Sequence, residues 1–147
     1  MGKIISIVNQ KGGVGKTTTA INLGAALAMF KQKVLIIDYD QQANATIGLG
    51  INREDILFDV SDFFTHIGLL RRAIVKTKIE RLDLIASSIK LANIEESLYM
   101  IPDKEFLLKR KLDMIKNEYD FILIDCPPSL GLLTICLLYT SPSPRDP

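Results

Sequence analysis

A run rich in glycine and lysine near the start of the chain has the composition and spacing of a phosphate-binding loop. It follows an apolar, strand-like stretch, precedes a helix-like one, and consists of Lys11, Gly12, Gly13, Val14, Gly15, Lys16, Thr17 and Thr18. Because glycine has no Cβ, backbone N–H groups can approach a polyphosphate closely, and the following helix directs its positive end at it. Lys16 adds a point charge for the phosphates, and Thr17 adds a hydroxyl for Mg²⁺. The run therefore predicts binding of a nucleotide with magnesium.

Three carboxylates stand where later apolar stretches end. Asp38 closes the run Val34–Ile37 and Asp40 follows it, while Asp125 closes the run Phe121–Ile124. In an open α/β sheet, ligands bind at the carboxyl ends of the strands, where a phosphate-binding loop also lies. A strand that delivers Asp125 to the magnesium shell, opposite the threonine of the loop, fits this arrangement. Two acids at a strand end can also be solvated turn residues, but their position after a phosphate-binding loop favours a role at the metal.

These residues need a mostly parallel sheet flanked by helices to hold them, and the hydrophobic pattern predicts one. Short apolar runs rich in β-branched residues predict buried parallel strands, the first of them buried on both faces. The predicted strands are Lys3–Asn9, Val34–Ile37, Leu82–Ala86 and Asp120–Asp125. Helical spacing of apolar residues occurs in Thr17–Phe30, Ile56–Phe64, Ile67–Val75 and Phe106–Ile115. The predicted fold class is therefore α/β.

The phosphate-binding loop departs from the general P-loop pattern G-x-x-x-x-G-K-[ST] at its front end. The first glycine would stand at position 10, which is Gln10, and a second lysine, Lys11, begins the loop instead. The run K-G-G-x-G-K-T-T resembles the deviant Walker A motif of the ParA/MinD ATPases. The resemblance implies a P-loop NTPase fold, ATP and Mg²⁺ as cofactors, and a homodimer formed on ATP binding in which Lys11 reaches the partner's nucleotide. It makes Lys11, Lys16 and Asp40 the catalytic residues.

The segment that starts at Asp38 is similar to the D-x-D-P-Q-x-N-A-T motif of the same family. The resemblance implies that Asp38 helps to order magnesium and its waters, and that Asp40 orients and polarises the water that attacks the γ-phosphate. Two positions depart from the motif, since Gln41 replaces the usual proline and Ala43 replaces a common glycine. The first loosens a fixed φ and the second removes a residue that tolerates positive φ, so these departures put the geometry of the loop in doubt.

Asp125 opens the segment D-C-P-P-S-L-G, which resembles the ParA/Soj branch. The resemblance implies an ATP-hydrolysing partition ATPase that acts in chromosome or plasmid segregation. It further implies a ParB-like stimulating protein and nonspecific DNA bound through a C-terminal half. A MinD-like or other cargo-positioning ATPase of the superfamily is the alternative within this fold. An alternative of another class is a nucleotide-dependent scaffold or regulator without hydrolysis, against which the presence of both Asp40 and Lys11 argues.

The composition is typical of a globular α/β domain. The 147 residues are 48% apolar and 24% charged, and a net charge of +1 gives no overall electrostatic indication of nucleic-acid binding. Two cysteines are too few for a disulfide framework, and no signal peptide is visible. No apolar stretch approaches the roughly 18 residues that would predict a membrane span. We therefore expect a cytoplasmic protein, and the resemblance implies nucleoid association of the intact form.

Two groups of basic residues lie in the middle of the chain. The first contains Arg71, Arg72, Lys76 and Lys78, and the second is Lys109–Lys111. Acidic residues are interleaved with both groups. We interpret them as solvated surface rather than as a phosphate-binding site.

The resemblance covers residues 1–135 and ends there. We interpret 1–135 as the N-terminal part of a ParA-type P-loop ATPase domain, truncated before the fold is complete. Three of the six prolines of the chain fall in its last six residues, and such a composition suits neither helix nor strand. We predict that residues 136–147 are a non-native or disordered tail. Residues that contact adenine and DNA would then lie beyond this break.

Overall fold

A sheet of mostly parallel strands forms the centre of the protein. The computed structural model describes residues 3–7, 14–40, 42–60, 62, 71–87 and 107–125. The strands within these residues are β1 (Lys3–Ile7), β2 (Val34–Asp38), β3 (Ile74–Lys76), β4 (Leu82–Ile85) and β5 (Phe121–Asp125). They are ordered β1-β5-β2-β4-β3, and every neighbouring pair is parallel except β3 and β4. The α/β fold class and the strands expected around β1, β2, β4 and β5 are thus confirmed.

Three α-helices whose bounds the structure describes flank the sheet. They are α1 (Val14–Met29), α2 (Asn44–Gly48) and α3 (Leu107–Asp113), with short 3₁₀ turns at Arg53–Asp55 and Lys116–Glu118. The helices predicted over Thr17–Phe30 and Phe106–Ile115 correspond to α1 and α3. Helix α1 begins inside the glycine-rich run, so the positive end of its dipole lies where a phosphate was predicted.

The core lies on both faces of the central strands, because alternate residues of each strand point to opposite sides. On one face, Leu35 and Ile37 of β2 pack with Ile122 and Ile124 of β5. On the other face, the cluster is formed by Ala28, Val34, Ile36, Leu82, Leu84 and Leu123. Every residue of β2 is fully buried, as expected for a strand between two parallel neighbours under two layers of side chains.

A glycine allows helix α1 to approach the sheet closely. A Cβ on Gly24 would lie 3.0 Å from Cδ1 of Ile36 and 3.2 Å from Cδ1 of Leu82. Few real side chains tolerate contacts this short, so a larger residue would push α1 away from β2 and β4. Helix α1 packs against β2 and β5 as well.

The prediction that the first strand is buried on both faces was wrong. Ile5 is 37% exposed, and Ile4 and Ile7 are only half-buried. The reason is the strand order, which puts β1 at the edge of the sheet with β5 as its only described neighbour. An apolar β-branched run signals a strand, but its depth depends on how many strands flank it.

The helical interpretation of the middle segment was also wrong at two places. Residues 56–59 are not helical, and Ile74 and Val75 belong to strand β3 instead of a helix over Ile67–Val75. Strand β3 pairs antiparallel with β4, so that Val75 lies opposite Leu84. A helical period over a short window carries little weight once a neighbouring strand offers hydrogen-bond partners.

Candidate functional site

Two buried carboxylates meet at the carboxyl ends of neighbouring strands. Asp38 ends β2 and Asp125 ends β5, and the parallel register places these two residues side by side. Both are 0% exposed. The backbone N–H of Tyr39 donates to the carbonyl oxygen of Asp125 at 3.0 Å, which continues the pairing one residue past β2. The sequence placed both acids at strand ends, and the sheet brings them together.

The carboxylate of Asp38 is held by hydrogen bonds from two directions. Its Oδ1 accepts from the backbone N–H of Asp40 at 3.1 Å. Its Oδ2 accepts from the backbone N–H of Thr46 at 2.9 Å and from the hydroxyl of the same residue at 2.7 Å. Thr46 lies in α2, so this short helix is anchored to the end of β2 through the acid.

Burial strongly perturbs the ionisation of this carboxylate. Loss of water around the group, with a smaller contribution from the nearby charge of Asp125, raises the pKa of Asp38 from 3.8 to about 6. The hydrogen bonds from Thr46 and Asp40 act in the opposite direction. A cation bound beside the two acids would favour their ionised forms, because an opposite charge within a few ångströms lowers a carboxyl pKa.

Asp40 lies just past the end of β2 and is 4% exposed. Its Oδ1 accepts from the backbone N–H of Gln42 at 3.0 Å, and its backbone carbonyl accepts from the N–H of Ala43 at 2.8 Å. We find no further hydrogen bond to this carboxylate within the described part of the chain. The tight turn therefore orients the side chain and leaves acceptor capacity for a water molecule.

The departure from the glycine of the family motif has a visible structural result. Ala43, which precedes α2, has φ 58° and ψ 34°, in the left-handed region. This conformation costs an L-residue with a Cβ roughly 1–2 kcal/mol. The position thus requires the positive φ that glycine adopts without strain, and the chain places a fully buried alanine there.

We expect Ala43→Gly to change the free energy of unfolding by less than about 1 kcal/mol, because relief of the left-handed strain offsets the lost methyl group and the added chain entropy. Ala45→Gly is the matched control, since Ala45 is equally buried but lies within α2. It should destabilise by about 2 kcal/mol, from lost helix propensity and burial. Urea unfolding of both variants measures the difference. Equal losses would contradict the strain at residue 43.

The structure describes the phosphate-binding loop only in part. Val14, Gly15, Lys16 and Thr17 form the first turn of α1, and Thr18 follows with an exposed side chain. Lys11–Gly13 lie outside the described residues, as do the side-chain positions of the first turn. The roles predicted for Lys11, Gly12, Gly13, Lys16 and Thr17 therefore remain predictions. The first turn of α1 contains no acidic residue, as an anion-binding helix end requires.

The donor set at the strand ends fits a magnesium ion that a nucleotide shares with the protein. In the described ranges, no group of three or more His, Cys, Asp or Glu side chains could enclose a metal. Mg²⁺ usually keeps several waters and takes one or two carboxylates together with substrate phosphates. The pair Asp38 and Asp125 supplies two such carboxylates, and the threonine predicted as a third ligand, Thr17, lies in the first turn of the adjacent helix.

The sequence analysis missed two contributors to this site. Thr46 supplies two of the three hydrogen bonds that described residues make to the Asp38 carboxylate, and the backbone N–H of Ser87 donates to the hydroxyl of Thr46 at 3.1 Å. The only signal for Thr46 was its place at the end of the N-A-T segment, and Ser87 was given no role. The contact joins residues 41 positions apart, which local patterns do not reveal.

The basic groups do not form a single surface in the described structure. Arg71 pairs with Glu118, and Lys111 is buried, with its pKa lowered by that burial. The described residues of the two groups are exposed as expected, except Lys111, for which the interpretation as solvated surface was wrong. The predicted tail lies outside the described residues, as does the proposed boundary at residue 135.

Among the helices in the described ranges, none has both the length and the apolar character needed to cross a bilayer.

Comparison with known proteins places the chain among ATPase relatives. The AAA domain family model matches residues 2–143. The sporulation initiation inhibitor protein Soj of Bacillus subtilis (strain 168) is 51% identical over 143 residues, or 97% of this chain and 56% of that protein. The chromosome-partitioning ATPase Soj of Treponema pallidum (strain Nichols) is 47% identical over 135 residues, or 92% of this chain and 52% of that protein. The chain thus spans about half the length of these relatives.

A solved structure matches the fold closely. The crystal structure of cobyrinic acid a,c-diamide synthase from Mycobacterium smegmatis, with bound ADP and magnesium, superimposes with a TM-score of 0.90 at 36% identity. The match covers 96% of this chain and 57% of that one. Nucleotide and magnesium binding therefore occur on this fold.

Proposed function

Because this chain belongs to the AAA domain family and to its ParA/Soj-like members, we propose that the whole protein binds ATP with Mg²⁺ and hydrolyses it. The observation that carries the proposal is the pair of buried carboxylates, Asp38 and Asp125, in register at the strand ends beside the first helix. Two buried acids on adjacent strands have a clear chemical use if a cation and phosphates complete the site.

In this proposal each described residue has a distinct task. Asp38 and Asp125 would hold the magnesium shell together with the hydroxyl predicted for Thr17. Bound Mg²⁺ supplies charge neutralisation at the phosphate oxygens. Asp40 accepts a hydrogen bond from the attacking water and orients it, since its turn leaves acceptor capacity on the carboxylate.

The two lysines of the loop act on the nucleotide itself. Lys16 and the backbone N–H groups of Gly12–Gly15 hold the phosphates, and Lys11 offsets developing charge on the nucleotide of the partner subunit. A cation supplied across a subunit boundary contributes about 10³- to 10⁵-fold in rate in other NTPases. This arrangement requires an ATP-dependent homodimer with two nucleotides between the subunits.

Partition of chromosomes or plasmids is the cellular role we propose for the whole protein. The support is the similarity to the Treponema pallidum relative, whose name describes a chromosome-partitioning ATPase. The same proposal includes a ParB-like stimulating protein and nucleoid association in the cytoplasm. It also includes nonspecific DNA, held by the half that this chain does not span. A MinD-like cargo-positioning ATPase is the alternative, and the neighbouring genes of the intact locus distinguish the two.

Lys16→Ala should weaken ATP binding to this chain at least about tenfold, since a charged contact to a phosphate contributes about 1.5–3 kcal/mol. Isothermal calorimetry with ATP and excess Mg²⁺ measures the affinity. Lys78→Ala is the control, because Lys78 is an exposed lysine in the turn before β4. Equal affinities for the two variants and the unaltered chain would contradict the nucleotide site.

Hydrolysis separates the enzyme from a nucleotide-dependent scaffold. Binding of Mg-ATP without phosphate release by the full-length protein would support the scaffold or regulator. Phosphate release that depends on magnesium would support the ATPase.

A further inference from the structure

One hydroxyl joins three separate elements at the edge of the proposed magnesium site. The Thr46 hydroxyl donates to Oδ2 of Asp38 at 2.7 Å, and it accepts from the backbone N–H of Ser87 at 3.1 Å. Thr46 belongs to α2, Asp38 ends β2, and Ser87 follows β4. All three residues are 0% exposed, so water does not compete for these hydrogen bonds.

The chemistry at this point requires a hydroxyl. A threonine hydroxyl has one hydrogen to donate and two lone pairs to accept with. Its hydrogen is directed at Asp38, which leaves an acceptor for the amide of Ser87. Valine has the same shape but neither function, and its presence would leave a buried N–H without this partner.

The contacts of Thr46 also decide which oxygen of Asp38 is available. Oδ2 accepts two hydrogen bonds from Thr46, one from the backbone and one from the side chain, which occupies its two lone pairs. Oδ1 accepts one, from the N–H of Asp40. The hydrogen bonds from the described residues therefore hold the carboxylate at both oxygens, and among these residues they leave an acceptor position only on Oδ1.

Helix α2 also contacts the predicted phosphate-binding helix α1. A Cβ on Gly48 would lie 2.6 Å from Cδ1 of Ile21, so α2 rests directly on α1 at this glycine. Thr46 and Gly48 lie in the same helix, and Ile21 lies in the helix that begins at the phosphate-binding loop. The hydroxyl thus ties the metal-site carboxylate to an element in contact with α1.

We propose that Thr46 is a positioning residue of the magnesium site. Its hydrogen bonds hold the Asp38 carboxylate so that Oδ1 is presented to the waters of the metal. This inference rests on the proposed function, because Thr46 would orient a carboxylate that holds the magnesium ion bound together with ATP. Groups that orient a metal-site carboxylate through hydrogen bonds typically change metal affinity by about 10- to 100-fold when they are removed.

The test compares Thr46→Val with Thr46→Ser in this chain. We titrate Mg²⁺ at a fixed ATP concentration and follow nucleotide binding, and separately measure ATP binding without magnesium. Thr46→Val should raise the Mg²⁺ concentration for half-maximal binding about tenfold or more and leave magnesium-free binding within about threefold. Thr46→Ser keeps the hydroxyl and should restore the requirement to within about threefold of the unaltered chain.

Thr77→Val is the matched control. The hydroxyl of Thr77 also makes a donated and an accepted bond to backbone, to the carbonyl of Leu82 at 2.7 Å and from the N–H of Ile79 at 3.1 Å. It lies at the opposite end of β4 from Ser87. Loss of the Thr77 hydroxyl should lower the melting temperature without changing the Mg²⁺ concentration needed for half-maximal ATP binding.

Each outcome either supports or overturns the role inferred for Thr46. An unchanged magnesium requirement in a folded Thr46→Val variant, even one with a lower melting temperature, would assign the hydroxyl to stability alone and overturn the inference. If Thr46→Val does not fold, Thr46→Cys replaces it, because a thiol is a weak donor and acceptor of similar size. An unchanged requirement in that variant would likewise overturn the inference. Absence of magnesium-dependent ATP binding by the unaltered chain would overturn the proposed function as well.

Discussion

Asp40→Asn is expected to reduce ATP hydrolysis by roughly 10²- to 10⁴-fold, the usual contribution of a positioned acid–base group. The affinity for Mg-ATP should stay within about threefold, because an uncharged side chain of the same shape keeps the turn and makes no phosphate contact. The expected signature is therefore a fall in kcat with little change in KM. The physical basis is the acceptor capacity that the Gln42 amide leaves on the Asp40 carboxylate.

The measurement is steady-state phosphate release from a chimera that joins this chain to the half of Bacillus subtilis Soj that it does not span. Asp55→Asn is the control, because Asp55 is an exposed acid in a 3₁₀ turn and makes no side-chain hydrogen bond to the described residues. The control should hydrolyse ATP at the unaltered rate. A variant at residue 40 with the same rate as the control would remove Asp40 from the mechanism.

Leu123→Ala is expected to have the largest effect on stability. Leu123 is the central residue of β5, fully buried, with Ile5 of β1 on one side and Ile36 of β2 on the other. Truncation of such a leucine costs about 2–5 kcal/mol through lost burial and the cavity left behind. Since natural domains are stable by only about 5–15 kcal/mol, the loss should leave a large part of the chain unfolded under mild denaturant.

Urea unfolding followed by circular dichroism measures this loss as a lower midpoint. Met29→Ala is the control, because Met29 ends α1 with 81% of its surface exposed and contributes little burial. It should change the free energy of unfolding by less than about 0.5 kcal/mol. If the two variants unfold at the same midpoint, β5 is not the centre of the core.

The strands that carry the site were predictable because their residues leave few alternatives. Val34–Ile37 and Phe121–Ile124 are uninterrupted apolar runs that each end in an acid, and a parallel sheet buries such runs on both faces. The edge position of β1 and the strand β3 were not predictable in this way. Both depend on which strands lie next to each other, and the run at Ile74–Lys76 is too short to show a period of its own.

The proposed site likewise has features that the sequence predicted and features that depend on the strand order. The sequence placed Asp38 and Asp125 at strand ends, but their pairing depends on β5 lying directly between β1 and β2. The sequence raised a doubt about Ala43, and the structure shows that this residue has a positive φ, which glycine would adopt without strain. The sequence did not indicate a role for Thr46 or Ser87, because their hydrogen bond joins distant parts of the chain.

The amino-acid sequence by itself predicted the class of ligand and the type of fold. Glycine spacing, the two lysines and the acids after apolar runs are local features, and local chemistry is enough to predict a phosphate-binding loop on an α/β sheet. Only the tertiary structure showed that Asp38 and Asp125 lie side by side and that the Thr46 hydroxyl binds Oδ2 of Asp38. These are contacts between elements far apart in sequence, and their geometry is set by the order of the strands and the packing of α2 on α1.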